Sequence, residues 1–211
     1  MARRIDPVCR LCRREGMKLF LKGERCYSPK CAFEKRNYAP GMHGKKGSFK
    51  RKESDFATQL REKQRARRIY GVQERQFRRY FRNAQHVKGM TGVTLLLTLE
   101  RRLDNVVFRM GLATSRAQAR QVVRHNFVWV NSKRVNIPSF LIDKDDVVEV
   151  KAKEKAKKKI LENMELSKDR SVPPWLDFNA QELKSKVARL PEKDDIPANI
   201  QEQLIVELYS K

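Results

Sequence analysis

The spacing of residues between Glu53 and Tyr70 predicts the first long helix of the chain. Phe56, Leu60 and Gln64 recur every four residues and therefore share one face, while lysines and arginines crowd the other faces. Gly71 follows and favours the end of the helix at that point. The apolar surface is too small for a helix that lies on a membrane.

A second basic helix is predicted over about Gln73 to Gln85. Phe77, Tyr80 and Phe81 follow each other at intervals of three and four residues, which is the spacing with which a small helical lobe buries its core. We therefore expect these aromatics to be core residues, and stacking on unpaired bases is the less favoured alternative. Four arginines lie between them: Arg75, Arg78, Arg79 and Arg82.

Apolar residues at the same period predict one long helix that Thr91 caps and Gly111 ends. The positions that define its apolar face are Leu96, Leu99, Leu103, Val106 and Met110.

Ser115 and Gln118 have the spacing of a capping box and open a further helix. This helix carries Arg116, Arg120 and Arg124 on one stripe, and like charges at that spacing repel each other. The stripe therefore predicts that something anionic neutralises it.

An apolar run at residues 127–130 follows this helix, and Asn131 and Ser132 then form a turn. Residues 133–135 form the second strand of a hairpin with this run, and residues 147–150 add a third strand. A helix followed by a hairpin is the result.

Charge separates the first two thirds of the chain from the rest. The 211 residues carry 48 lysines and arginines against 25 acidic residues, a net charge of +23, and residues 1–90 alone contribute +18. A surplus of this size attracts polyanions, and nucleic acid is the partner that it favours over an anionic membrane or an acidic protein. No apolar run is long enough to span a bilayer, and no apolar stretch follows the charged start as in a secretory signal, so we expect a cytoplasmic protein.

All four cysteines fall in the first 31 residues, as Cys9 and Cys12 followed by Cys26 and Cys31. Paired thiolates at this spacing suit a tetrahedral Zn²⁺ ion, and a cytosolic protein keeps its thiols reduced. With four protein ligands such a site would be structural and not catalytic. An iron-sulfur cluster remains the alternative. The Gly- and Lys-rich loop after the cysteines lacks the spacing of a phosphate-binding loop, which argues against nucleotide binding.

Several motifs resemble the small-subunit ribosomal protein S-four family, in its bacterial type with four cysteines. Residues 103–111 (LDNVVFRMG) and 115–125 (SRAQARQVVRH), followed by Val130 and Asn131, resemble its RNA-binding module. Further matches lie at residues 8–16 (VCRLCRREG), 22–26 (KGERC), 40–44 (PGMHG), 60–64 (LREKQ) and 203–207 (QLIVE). The resemblance covers essentially the whole chain. Asn126 and Ser132 depart from it, since the module usually has glycine there.

The resemblance implies a structural constituent of the small ribosomal subunit that binds its ribosomal RNA at a multi-helix junction early in assembly. It further implies a neighbouring ribosomal protein S-five, an influence on translational accuracy and, in some bacteria, repression of the protein's own messenger RNA. Neither a membrane nor a small-molecule substrate is implied.

The candidate sites follow from the basic residues, the cysteines and this resemblance. The expected zinc ligands are Cys9, Cys12, Cys26 and Cys31. The expected RNA contacts are Arg3, Arg4, Arg13, Arg14, Lys22, Lys30, Lys35, Arg36, His43, Lys45, Lys46, Arg61, Lys63, Arg65, Arg67, Arg68, Arg116, Arg120, Arg124, His125, Asn131, Lys133 and Arg134.

The predicted fold class is α+β, in four parts. A zinc-bearing segment (1–50) precedes a basic helical lobe (51–98), an inserted helix–hairpin RNA-binding module (99–150) and a Lys-rich helix with a C-terminal tail (151–211) that packs back on the first lobe.

Two other classes of function compete with this interpretation. The same module accompanies pseudouridine synthases and tyrosyl-transfer-RNA synthetases, but the rest of the chain has no pattern of a catalytic domain, so we predict that it is not an enzyme. An RNA chaperone that only visits ribosomes is the other alternative.

Overall fold

The computed structural model describes residues 6–44, 54–168, 170–196 and 200–210. The chain forms two compact units, which we call the terminal unit (Met1–Leu95 and Pro197–Lys211) and the central unit (Leu96–Ile196). The predicted four-part division is finer than this grouping, since residues 1–50 and 51–98 fall largely in one unit. Residues 151–196, which it separated from the module, belong to the same compact unit as the module.

The terminal unit is helical in its described part. Its helices are α1 (Cys9–Glu15), α2 (Ala32–Lys35), α3 (Asp55–Ile69), α4 (Glu74–Gln85), the first half of α5 (Thr91–Glu100) and α9 (Glu202–Ser210), and a 3-10 turn spans Gly23–Cys26. The C-terminal helix α9 packs against α3, so the two ends of the chain meet in one unit, as the family resemblance implied for the tail.

Helix α3 begins where Ser54 accepts a hydrogen bond from the backbone N–H of Ala57 at 3.3 Å. Its buried face is polar and not the face defined by Phe56, which is 56% exposed. The residues that this helix buries are Gln59, Glu62, Lys63, Ala66 and Ile69. Hydrogen bonds to α4 and to the C-terminal segment make this burial possible, because buried polar groups need partners.

Helix α4 confirms the prediction for its aromatics. Phe77, Tyr80 and Phe81 are all buried. Tyr209 of α9 packs on this cluster, with its ring centroid 4.6 Å from that of Phe81. A helix with four interspersed arginines therefore has one continuous apolar face.

The predicted long helix from Thr91 to Gly111 is wrong, because the chain forms two helices, α5 and α6 (Leu103–Arg109). Between them Arg102 is extended, with φ −66° and ψ 137°, and forms a β-bridge with Leu141. Its side chain lies buried against Asp104. The apolar period continues through the break, so the sequence contains no helix-breaking residue that would reveal it.

The central unit contains a five-stranded antiparallel sheet in the order β2-β1-β3-β5-β4. Its strands are β1 (Val128–Val130), β2 (Lys133–Arg134), β3 (Val147–Val150), β4 (Leu176–Asn179) and β5 (Lys184–Val187). The predicted hairpin and third strand are confirmed. The last two strands come from the tail, so only its final helix packs on the terminal unit. Helices α6, α7 (Arg116–Arg124) and α8 (Glu154–Glu165) complete an α+β unit, and the α+β class is confirmed.

The hairpin turn tolerates the absence of glycine. Asn131 has φ 47° and Ser132 has φ 63°, the two positive values that a type I′ turn requires. The Asn131 amide accepts a hydrogen bond from the backbone N–H of Val147 at 2.9 Å and donates one to Asp146 at 2.7 Å. Asn126, the other departure from the module's glycines, also has positive φ, at 64°.

One hydrophobic core lies between the sheet and the helices of the central unit. Trp175 from the tail, Ile160 from α8 and Val123 from α7 are at most 3% exposed within it. None of the helices in the described part of the chain has an apolar stretch long enough to cross a bilayer.

Candidate nucleic-acid interface

The cations of α3 that we predicted as RNA contacts are paired with carboxylates of the terminal unit. Lys63 and Arg67 both lie 2.9 Å from Glu74, and Arg65 lies 2.6 Å from Glu62. The pairs of α3 with α1 are Arg61 and Arg68 with Glu15, whose side chain is inaccessible to solvent. Four of these side chains therefore hold α3 against its neighbours, whereas the pair of Arg65 with Glu62 lies within α3.

Helix α4 presents a different basic surface. Arg75, Arg78, Arg79 and Arg82 are exposed and lie opposite its buried aromatics. We did not predict these residues as RNA contacts. The signal was present in the sequence, because aromatics on one face of a helix leave the arginines between them on the other.

In the arginine stripe of α7, two side chains bind residues of the same unit and one is exposed to solvent. Arg116 donates to the Asn105 side chain at 2.8 Å and lies over the Phe108 ring, and Arg120 lies 3.2 Å from Asp104. Burial lowers the pKa of Arg120, and the charge of Asp104 opposes this shift. Only Arg124 is exposed. Part of the anion that we expected at this stripe is thus Asp104 of the same chain.

The LDN part of the family motif organises this network. Asp104 bridges the guanidiniums of Arg102 and Arg120. Asn105 donates to Glu100 at 2.7 Å and accepts from Arg116. The motif therefore fixes the base of α7 and sets the direction in which the helix presents its C-terminal end.

Among the predicted RNA contacts of the central unit, the exposed basic side chains lie at the end of α7 and on the hairpin. Arg124, His125, Lys133 and Arg134 are all exposed. Asn131, in contrast, is engaged in the turn described above. Lys151 lies over the half-buried Trp129 ring at 5.0 Å and adds charge to the same sheet.

The remaining predicted contacts lie around the cysteines or outside the described residues. Arg13 donates to the backbone oxygen of Tyr38 at 3.0 Å and covers its ring at 4.8 Å, which gives it a structural role. The exposed members are Arg14, Lys22, Lys30, Lys35, Arg36 and His43. Those outside the described residues are Arg3, Arg4, Lys45 and Lys46.

The four cysteines come from α1, the 3-10 turn and the start of α2. Cys12, Cys26 and Cys31 are buried, and Cys9 is half-buried. Burial raises the pKa of Cys12 and Cys26, and the charges of neighbouring cysteines act in the same direction. The backbone N–H of Lys22 donates to the Cys26 sulfur at 3.4 Å. In the described part of the chain, no three or more His, Cys, Asp or Glu side chains are already arranged to hold a metal ion.

Comparison with known proteins shows which family the chain resembles. Residues 3–100 match the family model described as the ribosomal protein S4/S9 N-terminal domain, and residues 101–148 match the S4 domain. The chain is 54% identical over 211 residues to small ribosomal subunit protein uS4 of Pelotomaculum thermopropionicum, with both chains covered completely. The proteins of the same name from Caldicellulosiruptor saccharolyticus and Thermus thermophilus are 56% and 53% identical, again over the whole of both chains.

The chain belongs to the ribosomal protein S4 family. This is a family of structural, non-enzymatic proteins, so the prediction that the chain is not an enzyme is confirmed. Membership likewise confirms the predicted location on the cytoplasmic ribosome. The match also confirms the resemblance stated from the motifs, while the four-cysteine zinc subtype stays a prediction.

Proposed function

We propose that this protein binds small-subunit ribosomal RNA directly, through exposed cations on each of its two compact units, as a structural component of the small ribosomal subunit. The observation that carries the proposal is that the basic side chains of this S4-family chain fall into two groups, one ion-paired within the protein and one exposed to solvent. Many are held by carboxylates of the same unit, whereas α4, the end of α7 and the hairpin present cations to solvent. Exposed guanidiniums are suited to bind phosphate.

The RNA feature recognised is a multi-helix junction, bound early in assembly. The bases of an A-form helix are poorly accessible to side chains, so proteins recognise its shape, its phosphates and its 2′-hydroxyls. Rigid surfaces suit this kind of recognition. The network around Asp104 and Asn105 supports this, because it fixes the helix that ends in Arg124.

The further roles rest on the family resemblance. They comprise a contact with the neighbouring ribosomal protein S-five, a contribution to translational accuracy and, as in some bacteria, repression of the protein's own messenger RNA. An RNA-binding surface that recognises a junction could bind a messenger with a similar fold, which is the chemistry that supports the last of these.

A structural Zn²⁺ ion held by Cys9, Cys12, Cys26 and Cys31 is part of the proposal. Four cysteines from α1, the 3-10 turn and the residue before α2, with a backbone N–H donated to the Cys26 sulfur, are a donor set that suits zinc. When bound, the ion would cross-link the segments around α1, the 3-10 turn and α2. Arg10, Arg14 and Arg25 lie near these cysteines in the sequence and would offset the negative charge of four thiolates.

The number of copies of the chain per small subunit distinguishes a resident component from a visiting chaperone. Small subunits purified from the source organism and washed in high salt are analysed by mass spectrometry with labelled standards. One copy of the chain per subunit is the expected result. A content far below one copy, or loss of the chain in the wash, would contradict the proposed role.

A further inference from the structure

The outer face of α4 is a continuous row of arginines. Arg78 and Arg79 each lie three or four residues from both Arg75 and Arg82, so these pairs are about 5–6 Å apart at their Cβ atoms. All four are exposed. The opposite face carries Phe77, Tyr80, Phe81 and Ala84, all buried. The aromatics therefore fix which way the arginines point.

Within the described residues, no carboxylate forms an ion pair with this row. The one acidic residue of α4, Glu74, is directed toward α3 and α9, where it binds Lys63, Arg67 and Tyr209. Like charges at intervals of three and four residues destabilise a helix. The row thus carries an uncompensated repulsion that an external anion would relieve.

Helix α3 provides the contrast. It has five cations against the four of α4, but each has a carboxylate partner in the terminal unit. Their exposure reflects this, since the Arg68 and Lys63 side chains are 13% and 8% accessible.

We propose that the arginine row of α4 is a phosphate-binding surface of the terminal unit, and that the arginines of α3 stabilise the fold instead. This inference rests on the proposed binding of ribosomal RNA and names residues for it. Guanidiniums bind phosphate oxygens with two parallel hydrogen bonds, and a row of them fits successive phosphates of one strand. The contact is to the backbone and independent of base sequence, because the aromatics of α4 face the core and cannot stack on bases.

The test compares two variants with the same change in charge. In the first, Arg75, Arg78, Arg79 and Arg82 of α4 are replaced by Gln. In the second, Arg61, Arg65, Arg67 and Arg68 of α3 are replaced by Gln. Binding of each full-length protein to small-subunit ribosomal RNA transcribed in vitro is measured over a series of salt concentrations. Thermal unfolding is measured in parallel.

The α4 variant is expected to unfold at a temperature no lower than that of the unaltered protein, because the repulsion within the row is removed, and to bind RNA with a smaller salt dependence. Each lost phosphate contact removes roughly 0.7–0.9 from the slope of log affinity against log salt, so the slope should fall by about 3. The α3 variant is expected to unfold at a lower temperature and to keep the slope while it is folded. If it does not fold, the double variants Arg75→Gln/Arg79→Gln and Arg61→Gln/Arg67→Gln make the same comparison.

An unchanged slope in the α4 variant, beside normal binding by the unaltered chain, would overturn this inference alone. The same result is expected if the row serves an acidic protein partner. If the unaltered chain does not bind the RNA, the proposed function fails and this inference fails with it.

Discussion

The Tyr209 hydroxyl donates a hydrogen bond to the Glu74 carboxylate at 2.8 Å, which joins the last helix of the chain to α4 across 135 positions of sequence. Lys63 of α3 donates to the same carboxylate. Three helices thus converge on one half-buried acid, and the C-terminal helix is an integral part of the terminal unit.

The variant Tyr209→Phe tests this connection. It keeps the ring that packs on Phe81 and removes only the hydroxyl. Because hydrogen bonds to charged groups stabilise proteins by roughly 1.5–3 kcal/mol, and this one is partly solvent-accessible, we expect a loss of about 1–2 kcal/mol. Urea unfolding measures it. Tyr27→Phe is the matched control, since Tyr27 is 68% exposed and should change stability little. Equal stability of the two variants would contradict the role of the Tyr209 hydroxyl.

The same carboxylate predicts how stability depends on pH. Burial is the largest single influence on the Glu74 pKa and would raise it, but hydrogen bonds from Lys63 and Tyr209, with the charges of Lys63 and Arg67, together lower it below its ordinary value of 4.5. An acid whose pKa falls on folding stabilises the protein above the unfolded pKa. That stabilisation is lost as the pH falls through the folded value. We therefore expect stability to decrease on acidification below about pH 5.

The variant Glu74→Gln should be less stable at pH 7 and should show a smaller decrease in the acidic range. Denaturant unfolding at a series of pH values measures both effects. Glu165→Gln, at an exposed position of α8, is the control. A Glu74→Gln variant that keeps the full acid dependence would show that another group causes it.

In the central unit, Asp104 is predicted to be essential for folding and not for direct RNA contact. Its carboxylate pairs with the buried Arg102 and with Arg120, and Asp104→Asn removes the negative charge that both guanidiniums face. Breaking a buried ion pair typically costs about 3–5 kcal/mol. Thermal unfolding should reveal this loss, whereas Asp145→Asn, at an exposed position, should have almost no effect. A stable Asp104→Asn protein with reduced RNA binding would reverse the assignment.

Measurement of the metal content tests the zinc site predicted at the four cysteines. The double variant Cys9→Ser/Cys12→Ser should release one Zn²⁺ per chain and unfold the first forty residues, because structural zinc contributes roughly 10–16 kcal/mol to small domains that depend on it. Elemental analysis and limited proteolysis follow the two effects. Unchanged metal content and cleavage pattern would contradict a four-thiolate site, and iron with visible absorbance in the unaltered protein would indicate a cluster instead.

How far the sequence predicts this molecule depends on whether the signal is local. The aromatics of α4 and the hairpin after α7 follow from spacing alone, and both are confirmed. The break at Arg102 does not, because it is stabilised by distant partners: Leu103 N–H donates to Phe140 O, and Arg102 bridges Leu141. A helix interrupted by tertiary contacts keeps its apolar period.

The candidate interface shows the same limit. The number of basic residues predicts an RNA-binding protein. It does not distinguish cations that bind phosphate from cations that form ion pairs with carboxylates of the same chain. Arg67 and Arg75 look alike in the sequence, and only the structure shows that Glu74 pairs with the first while the second is exposed. Half-buried ion pairs on a polar helix face have no periodic signature, since their partners are distant in sequence.

The measurement that tests the central claim most directly is binding of the full chain to small-subunit ribosomal RNA in the presence of excess transfer RNA, at several salt concentrations. Binding that survives the competitor at moderate salt is the predicted result, because the protein recognises the shape of one ribosomal RNA junction, which differs from the folded shape of transfer RNA. Loss of binding to the competitor would contradict the account. It would mean that the net charge of +23 attracts any polyanion and that no particular RNA structure is recognised.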